Sequence, residues 1–236
     1  MPGADEPLIR VMALHALAYC ERLFYLEEVE EIRIADARVY AGRTLHEELR
    51  QDEEAEDGEW SSVELASERL GIRGFKLLPS YQHFYPNDRA LYPFYEYVQS
   101  LGMPIMFHTG TSIFHGTRIK YADPLLLDEV ADDFPRLNII MEHGGRTFWY
   151  DRAAWLVSKY GNMHIGIAGI ATRHLPRFFP RLEQFSDRFV FGSDWPGFAD
   201  IKGLIDRVCA LPYSDETKER ILYRNAERLL GRIGRG

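Results

Sequence analysis

The sequence predicts an α/β protein in which about five parallel β/α units follow a mostly helical N-terminal segment. Two observations carry this. After Gly74, short apolar runs alternate with helix-patterned stretches, one of each in roughly 30 residues, and that alternation is how parallel β/α units appear in a sequence. Before Gly71 no such alternation occurs, and the charge differs too: 18 acidic and 7 basic residues to that point, against 18 acidic and 21 basic in the remainder of a chain whose net charge is −8. The expected organisation is therefore a helical segment over 1–71 and a β/α domain over 72–236.

The elements can be justified in order. "LIRVMALHALAYCERLFYLEEV" from Leu8 and "ARVYAGRTLHEELRQDEE" from Ala37 place apolar residues at helical spacing. "EWSSVELASE" alternates polar and apolar residues as a strand does. The runs "GFKLLP", "GMPIMFHTG", "LNIIMEHGG", "NMHIGIAGI" and "RFVFGSDWP" are short apolar strands bounded by Gly, Pro, His or Asp. Helical stretches such as "NDRALYPFYEYVQSLG" and "DPLLLDEVADDFP" lie between them.

Composition narrows the function classes. With 46% hydrophobic and 27% charged residues the chain can bury an ordinary globular core. It has no apolar run of about 18 residues, and its start lacks a basic stretch followed by an apolar one, so the expectation is a cytoplasmic protein without a membrane partner. Cys20 and Cys209 lie far apart outside any CxxC spacing, which suits a reducing compartment and reads as two buried small hydrophobes. The acidic first segment is a poor match for a phosphate backbone, so nucleic acid is not the expected partner.

Reactive side chains of parallel β/α proteins gather where strands give way to loops. His108, His143 and Asp194 each close an apolar run. A buried strand ending in His or Asp is costly unless that group is hydrogen-bonded or bound to something, so three in register point to a site. Lys76 either meets a substrate carboxylate or snorkels to solvent. Tyr81 and His83 in "PSYQHFYPND" and Arg118 in "HGTRIKYADP" fall on strand-to-helix loops, where substrate groups are met. Arg118 either clamps a carboxylate or lies in solvent. His115, His164 and His174 read as structural or surface residues, and Trp195 with Pro196 as shaping the loop around Asp194.

"FHTGT", "EHGG", "FGSDWP" and "ILYRNAERLLG" occur in an order and at separations that resemble the amidohydrolase-related metal-dependent hydrolases, the branch that includes aminocarboxymuconate-semialdehyde decarboxylase. The resemblance runs from about Ile72 to Gly231. It implies a (β/α)8 TIM-type barrel, here incomplete, since the chain resembles it only from the fourth strand onward. It also implies a divalent metal, expected as zinc, with His108 and Asp194 as ligands and His143 as the acid/base that faces the substrate. Asp194 would then serve both metal and reacting water, and the substrate would be a small carboxylated or cyclic molecule. No His-x-His pair occurs, and His15 and His46 stand alone on predicted helices, so the metal is expected to be weakly held. Five parallel strands also leave two ladder edges, which the N-terminal segment or a homo-oligomer would cover.

The first 71 residues resemble a different family, the CRISPR-associated nucleases with a RecB-like core and an iron-sulfur cluster, through "ALAYCERLFYLEEVE", "GRTLHEEL" and "SVELASERLGIRG". That resemblance implies Cys20 as a cluster cysteine and His46 as a metal-binding histidine. The aspartate, the Glu-x-Lys pair and the three further cysteines do not follow, and "DIK" at Asp200 to Lys202 belongs to a helix start. One cysteine cannot hold a four-iron cluster, so none is expected. The chain therefore reads as a fusion of two truncated genes. Its leading function is that of a metal-dependent hydrolase or decarboxylase impaired by truncation. The alternatives are an exonuclease-like nucleic-acid-processing protein and a non-catalytic remnant.

Overall fold

Five parallel strands, paired in sequence order, make one sheet. The structure, a computed structural model, describes residues 72–231 with the exception of Pro196 and Ala199. The expectations for the two N-terminal helices, the strand after Glu59, His15, Cys20, His46 and Pro196 lie outside the described residues. Strands β1 (Phe75–Leu77), β2 (Ile105–Gly110), β3 (Ile139–Arg146), β4 (Met163–Gly166) and β5 (Phe189–Val190) fall within the five apolar runs. Between them come α1 (Pro79–Gln82), α2 (Tyr92–Ser100), α3 (Asp128–Asp133), α4 (Tyr150–Lys159) and α5 (Leu175–Phe178). The chain then runs through α6 (Ile201–Cys209), α7 (Asp215–Glu219), a π-helical turn over Arg220–Arg224 and α8 (Asn225–Leu230). This is the architecture of an incomplete α/β barrel.

The register sorts the strand residues by parity, because successive side chains of a strand point to opposite faces. Phe75, Ile105, Ile139, Met163, Ile165 and Phe189 share one face, and with Phe107 and Met141 they pack in the main core against Tyr95 and Val98 of α2 and Leu156 of α4. The other face carries Lys76, Met106, His108, Ile140, Glu142, His164, Gly166 and Val190. Its lower part is covered by α8, whose Ala226 and Leu229 pack with Met106, Ile140 and Val190. The Asn225 side-chain amide fixes that helix by donating to Ser186 O at 2.7 Å and Phe189 O at 2.8 Å.

Two local outcomes differ from the pattern in the sequence. The fifth run stops hydrogen-bonding as a strand after Val190, because the Phe191 N–H turns away to Ile221 O at 2.8 Å. Cys209, read as a buried small hydrophobe, is exposed. On α6 it is the neighbouring Val208 that faces the core, and one residue later the helix has turned about 100° toward solvent. Asp200 caps this helix, its side chain accepting from Gly203 N at 2.8 Å, which places "DIK" at a helix start as its sequence context implied. Among the described residues no helix is long and apolar enough to cross a membrane.

Candidate active site

Parity alone would send His143 to the helix-facing side with Met141. It does not go there, because β3 bulges. His108 pairs with Glu142 but Gly110 pairs with Arg146, so β3 spends four residues where β2 spends two. The excess is taken up by three consecutive left-handed residues, His143 (φ 67°), Gly144 (φ 55°) and Gly145 (φ 75°). Two glycines adopt that conformation without a Cβ penalty, while a histidine there costs about 1–2 kcal/mol. Thr109 clamps the bulge: its hydroxyl donates to Glu142 O at 2.7 Å and accepts from Gly145 N at 2.9 Å. A bulge of this kind re-aims a side chain. It brings the His143 ring to 4.9 Å from that of His108.

The two histidines are buried and neutral near pH 7. Burial above all, then the charges of Arg146 and Lys76, push His143 down to about 4, against the hydrogen bond to Ala168 that favours its protonated form. Burial, then His143, Arg146 and Lys76, hold His108 at about 3, with Asp194 opposing. The tautomer of His143 follows from its partner. Nδ1 lies 2.7 Å from Ala168 O, a carbonyl that only accepts, so Nδ1 carries the hydrogen and Nε2 the lone pair. His108 Nε2 is buried with no hydrogen-bond partner among the described residues, an uncompensated polar atom that a ligand would satisfy.

Asp194 lies beyond β5 rather than at its end, itself left-handed (φ 56°), a conformation Asp tolerates better than most residues. Its Oδ2 is 3.8 Å from Arg146 Nη1. The meeting point is Gly169 (φ 65°): a Cβ there would fall on Arg146 Nη1, 2.9 Å from Asp194 Oδ2 and 3.2 Å from His143 Nδ1. His143, Arg146 and Asp194 thus converge on one glycine, and His108 faces His143. These are a proton acceptor, an imidazole with a free nitrogen, a carboxylate and a cation in one cluster. Among the described residues no group of three His, Cys, Asp or Glu side chains is placed to hold a metal.

The other candidates are placed as follows. Lys76 shares the inner face and is exposed. Tyr81 sets its ring edge-on to His108 at 5.3 Å, and its hydroxyl bonds Ser112 Oγ at 2.6 Å. His83 spends Nε2 on Gly116 O at 2.7 Å and stacks on Tyr121, which ties α1 to the loop after β2. Arg118 is an exposed residue of that loop whose backbone N–H donates to Ser80 O. The hydrogen bonds of His83 and Arg118 thus join α1 to the loop after β2. Trp195 is exposed beside Asp194, its backbone N–H donating to Ser193 Oγ at 3.3 Å.

Three contributors went unrecognised in the sequence: Glu142, Arg146 and Gly169. Glu142 is buried opposite His108, and burial raises its carboxyl pKa, with Lys76 opposing. Its carboxyl group sits against Gly166, where a Cβ would come within 2.5–2.7 Å of it, and it accepts from His143 N at 3.2 Å. The parity of "IIMEHGG" with "PIMFHTG" was the available signal for Glu142. None existed for Arg146, which depends on the bulge.

Comparison with known proteins agrees with the fold. The sequence model of the amidohydrolase family matches residues 29–232, beginning earlier than the Ile72 expected from the motifs. An uncharacterised TIM-barrel protein from Bordetella bronchiseptica shares 27% identity at a TM-score of 0.63, over 74% of this chain and 62% of that one. A dihydroxybenzoic acid decarboxylase from Polaromonas sp. JS666, solved with manganese and 2-nitroresorcinol, is 20% identical at a TM-score of 0.57, over 72% of this chain and 64% of that one. A 73-residue segment, 31% of the chain, is 63% identical to a CRISPR-associated exonuclease Cas4/endonuclease Cas1 fusion from Myxococcus xanthus, of which it spans 12%. The chain thus spans less than two thirds of each of these relatives.

Proposed function

Because the chain belongs to the amidohydrolase family, we propose that its β/α domain, residues 72–236, acts as a metal-dependent hydrolase or decarboxylase on a small carboxylated or cyclic substrate. One observation carries the reading: His143 is locked by Ala168 O in the tautomer that presents a basic Nε2, beside His108 and within the same cluster as Asp194. A neutral imidazole with its far nitrogen anchored can take and return a proton at Nε2 without reorienting. Arg146 and Lys76 supply positive charge toward a substrate carboxylate or a developing oxyanion.

His108 and Asp194 are the donors that would hold a divalent ion. The donor set fits: an imidazole nitrogen without a partner and a carboxylate suit zinc or manganese. Such an ion, when bound, polarises a carboxylate or carbonyl group and makes water a better nucleophile. Two protein donors hold an ion less firmly than the usual three, so loose binding is part of the proposal.

The test is turnover of a panel of small aromatic and cyclic carboxylates, followed by CO2 release and by hydrolysis products, with His143→Gln as the control. Removing a general base costs about 10²–10⁴-fold, so the substitution should take any turnover down by that factor. Turnover that survives it unchanged rules out the assigned role. A second reading, nucleic-acid processing, draws on the 73-residue match and would require DNA cleavage that disappears in His46→Ala. Self-association along the end strands β1 and β5, read by sedimentation, is a further part of the proposal.

A further inference from the structure

Arg146 stands in contact with the carboxylate that a metal would need. Nη1 donates to Gly169 O at 3.2 Å and lies 3.8 Å from Asp194 Oδ2, while Nη2 donates to Thr111 O at 3.3 Å. The two carbonyls come from the loops after β4 and β2, so the guanidinium is held from both sides. Asp194 Oδ2 and Arg146 Nη1 both crowd the point where a Gly169 Cβ would sit. A divalent ion drawing on Asp194 would therefore approach a fixed positive charge within a few ångströms, and like charges at that range repel strongly even near the protein surface.

We propose that Arg146 is a built-in competitor for Asp194, so that a divalent cation gains the carboxylate only by displacing the guanidinium from it. The proposal rests on the reading of His108 and Asp194 as the metal pair and adds what governs access to it. Two features support it. The pair is partly exposed, 24% and 34%, so exchange does not require the fold to open. Arg146 keeps two backbone acceptors when Asp194 lets go, so displacement leaves no buried cation stranded.

The experiment measures Mn²⁺ binding by calorimetry and by the loss of the free-ion paramagnetic resonance signal, in the full chain and in Arg146→Gln, Arg146→Ala, Arg146→Lys and Asp194→Asn. Removing one neighbouring charge changes an ionic equilibrium by about tenfold or more. Arg146→Gln and Arg146→Ala should therefore bind Mn²⁺ about tenfold tighter than the wild type, with Arg146→Lys between. In Arg146→Ala, millimolar free guanidinium should weaken Mn²⁺ binding again, and a merely structural arginine would give no such rescue. Unchanged or weaker binding in both neutral variants overturns the proposal, as does an absence of Mn²⁺ binding in all of them. If Asp194→Asn abolishes binding while the arginine variants leave it unchanged, the competition alone fails. If Asp194→Asn has no effect on wild-type binding, the metal-pair reading fails and takes the proposal with it.

Discussion

The two faces of one sheet are built from alternating residues of the same five strands and have opposite characters. The helix-facing side is built mainly of Phe, Leu, Ile and Met, packed in the main core, with no ionisable group among its strand residues. The inner side interleaves Met106, Ile140 and Val190 with Lys76, His108, Glu142 and His164. The first face stabilises through area removed from water; the second holds ionisable groups, among them two imidazoles that burial keeps neutral near pH 7. Stability and chemistry are thereby separated by a one-residue step along each strand.

The largest effect that can break this comparison comes from the helix-facing side. Phe107 is fully buried against Tyr95, their rings 6.0 Å apart. Phe107→Ala should cost about 3–5 kcal/mol of unfolding free energy, as large-to-small core substitutions do. His108→Ala, one residue along and equally buried, should cost much less, because it removes an imidazole whose Nε2 has no partner. Chemical denaturation of the two variants checks the pair, and equal losses would mean that the inner face carries as much of the stability as the outer.

Acid sharpens the contrast. His108, His143 and His164 lie at about 3, 4 and 4 in the folded protein, each lowered chiefly by burial. The unfolded chain, with histidines near 6.5, binds more protons than the folded one, so stability falls as pH drops from about 6.5 toward 4. Glu142 runs the other way: its raised pKa stabilises the fold at low pH and loses that contribution as pH climbs above 4.5. The histidines outnumber it, so the net prediction is acid lability. Stability measured between pH 7 and 4 should decline by a few kcal/mol, at most about 1.4 per unit for each histidine, and less steeply in His164→Phe. A flat profile would place charged imidazoles in the folded sheet.

A glycine tests the inner face sterically. Gly166→Ala would set a methyl group against the Glu142 carboxyl, which β3 and β4 hold in place, and overpacking of that sort costs about 1–3 kcal/mol. Glu142→Ala in the same chain removes the obstacle. The double variant should therefore lose less than the sum of the singles, by a coupling of at least about 0.5 kcal/mol in a denaturation cycle. Strict additivity would mean the two side chains do not meet.

Much of this was legible in the residues. Strands buried on both sides appear as apolar runs, which is why β2 to β4 could be located from "GMPIMFHTG", "LNIIMEHGG" and "NMHIGIAGI", while the partly buried β1 showed through "GFKLLP". The inner face was partly visible through His108, whose neighbours Phe107 and Thr109 flank it on an unbroken strand. His143 was picked out for its position after an apolar run, but the means of its arrival, a two-residue excess in β3 and a left-handed histidine, is invisible to any period-2 reading. Arg146 and Gly169 were missed for the same reason. Their partners come from a bulge and two loops, and no local spacing encodes where a loop carbonyl will lie. His83 and Arg118 went the other way: loop position suggested substrate contact, and the ring of His83 is instead used to tie α1 to the loop after β2.

The smallest expected effect isolates electrostatics from structure. Lys76 is exposed on β1, so Lys76→Met should change unfolding free energy by no more than about 0.5 kcal/mol. Its charge nevertheless lowers the pKa of both His108 and His143, and favours ionisation of Glu142. Removing it should raise the titration midpoint of His143 from its wild-type value of about 4 and raise that of Glu142 too, since a cation favours the anionic carboxylate and disfavours the imidazolium alike. Proton NMR of the His143 ring through an acid titration reads the first directly. An upward move with unaltered stability would show that the inner face is addressed by charge from its rim. An unmoved midpoint would leave Lys76 an ordinary surface residue and assign the positive field at the cluster to Arg146 alone.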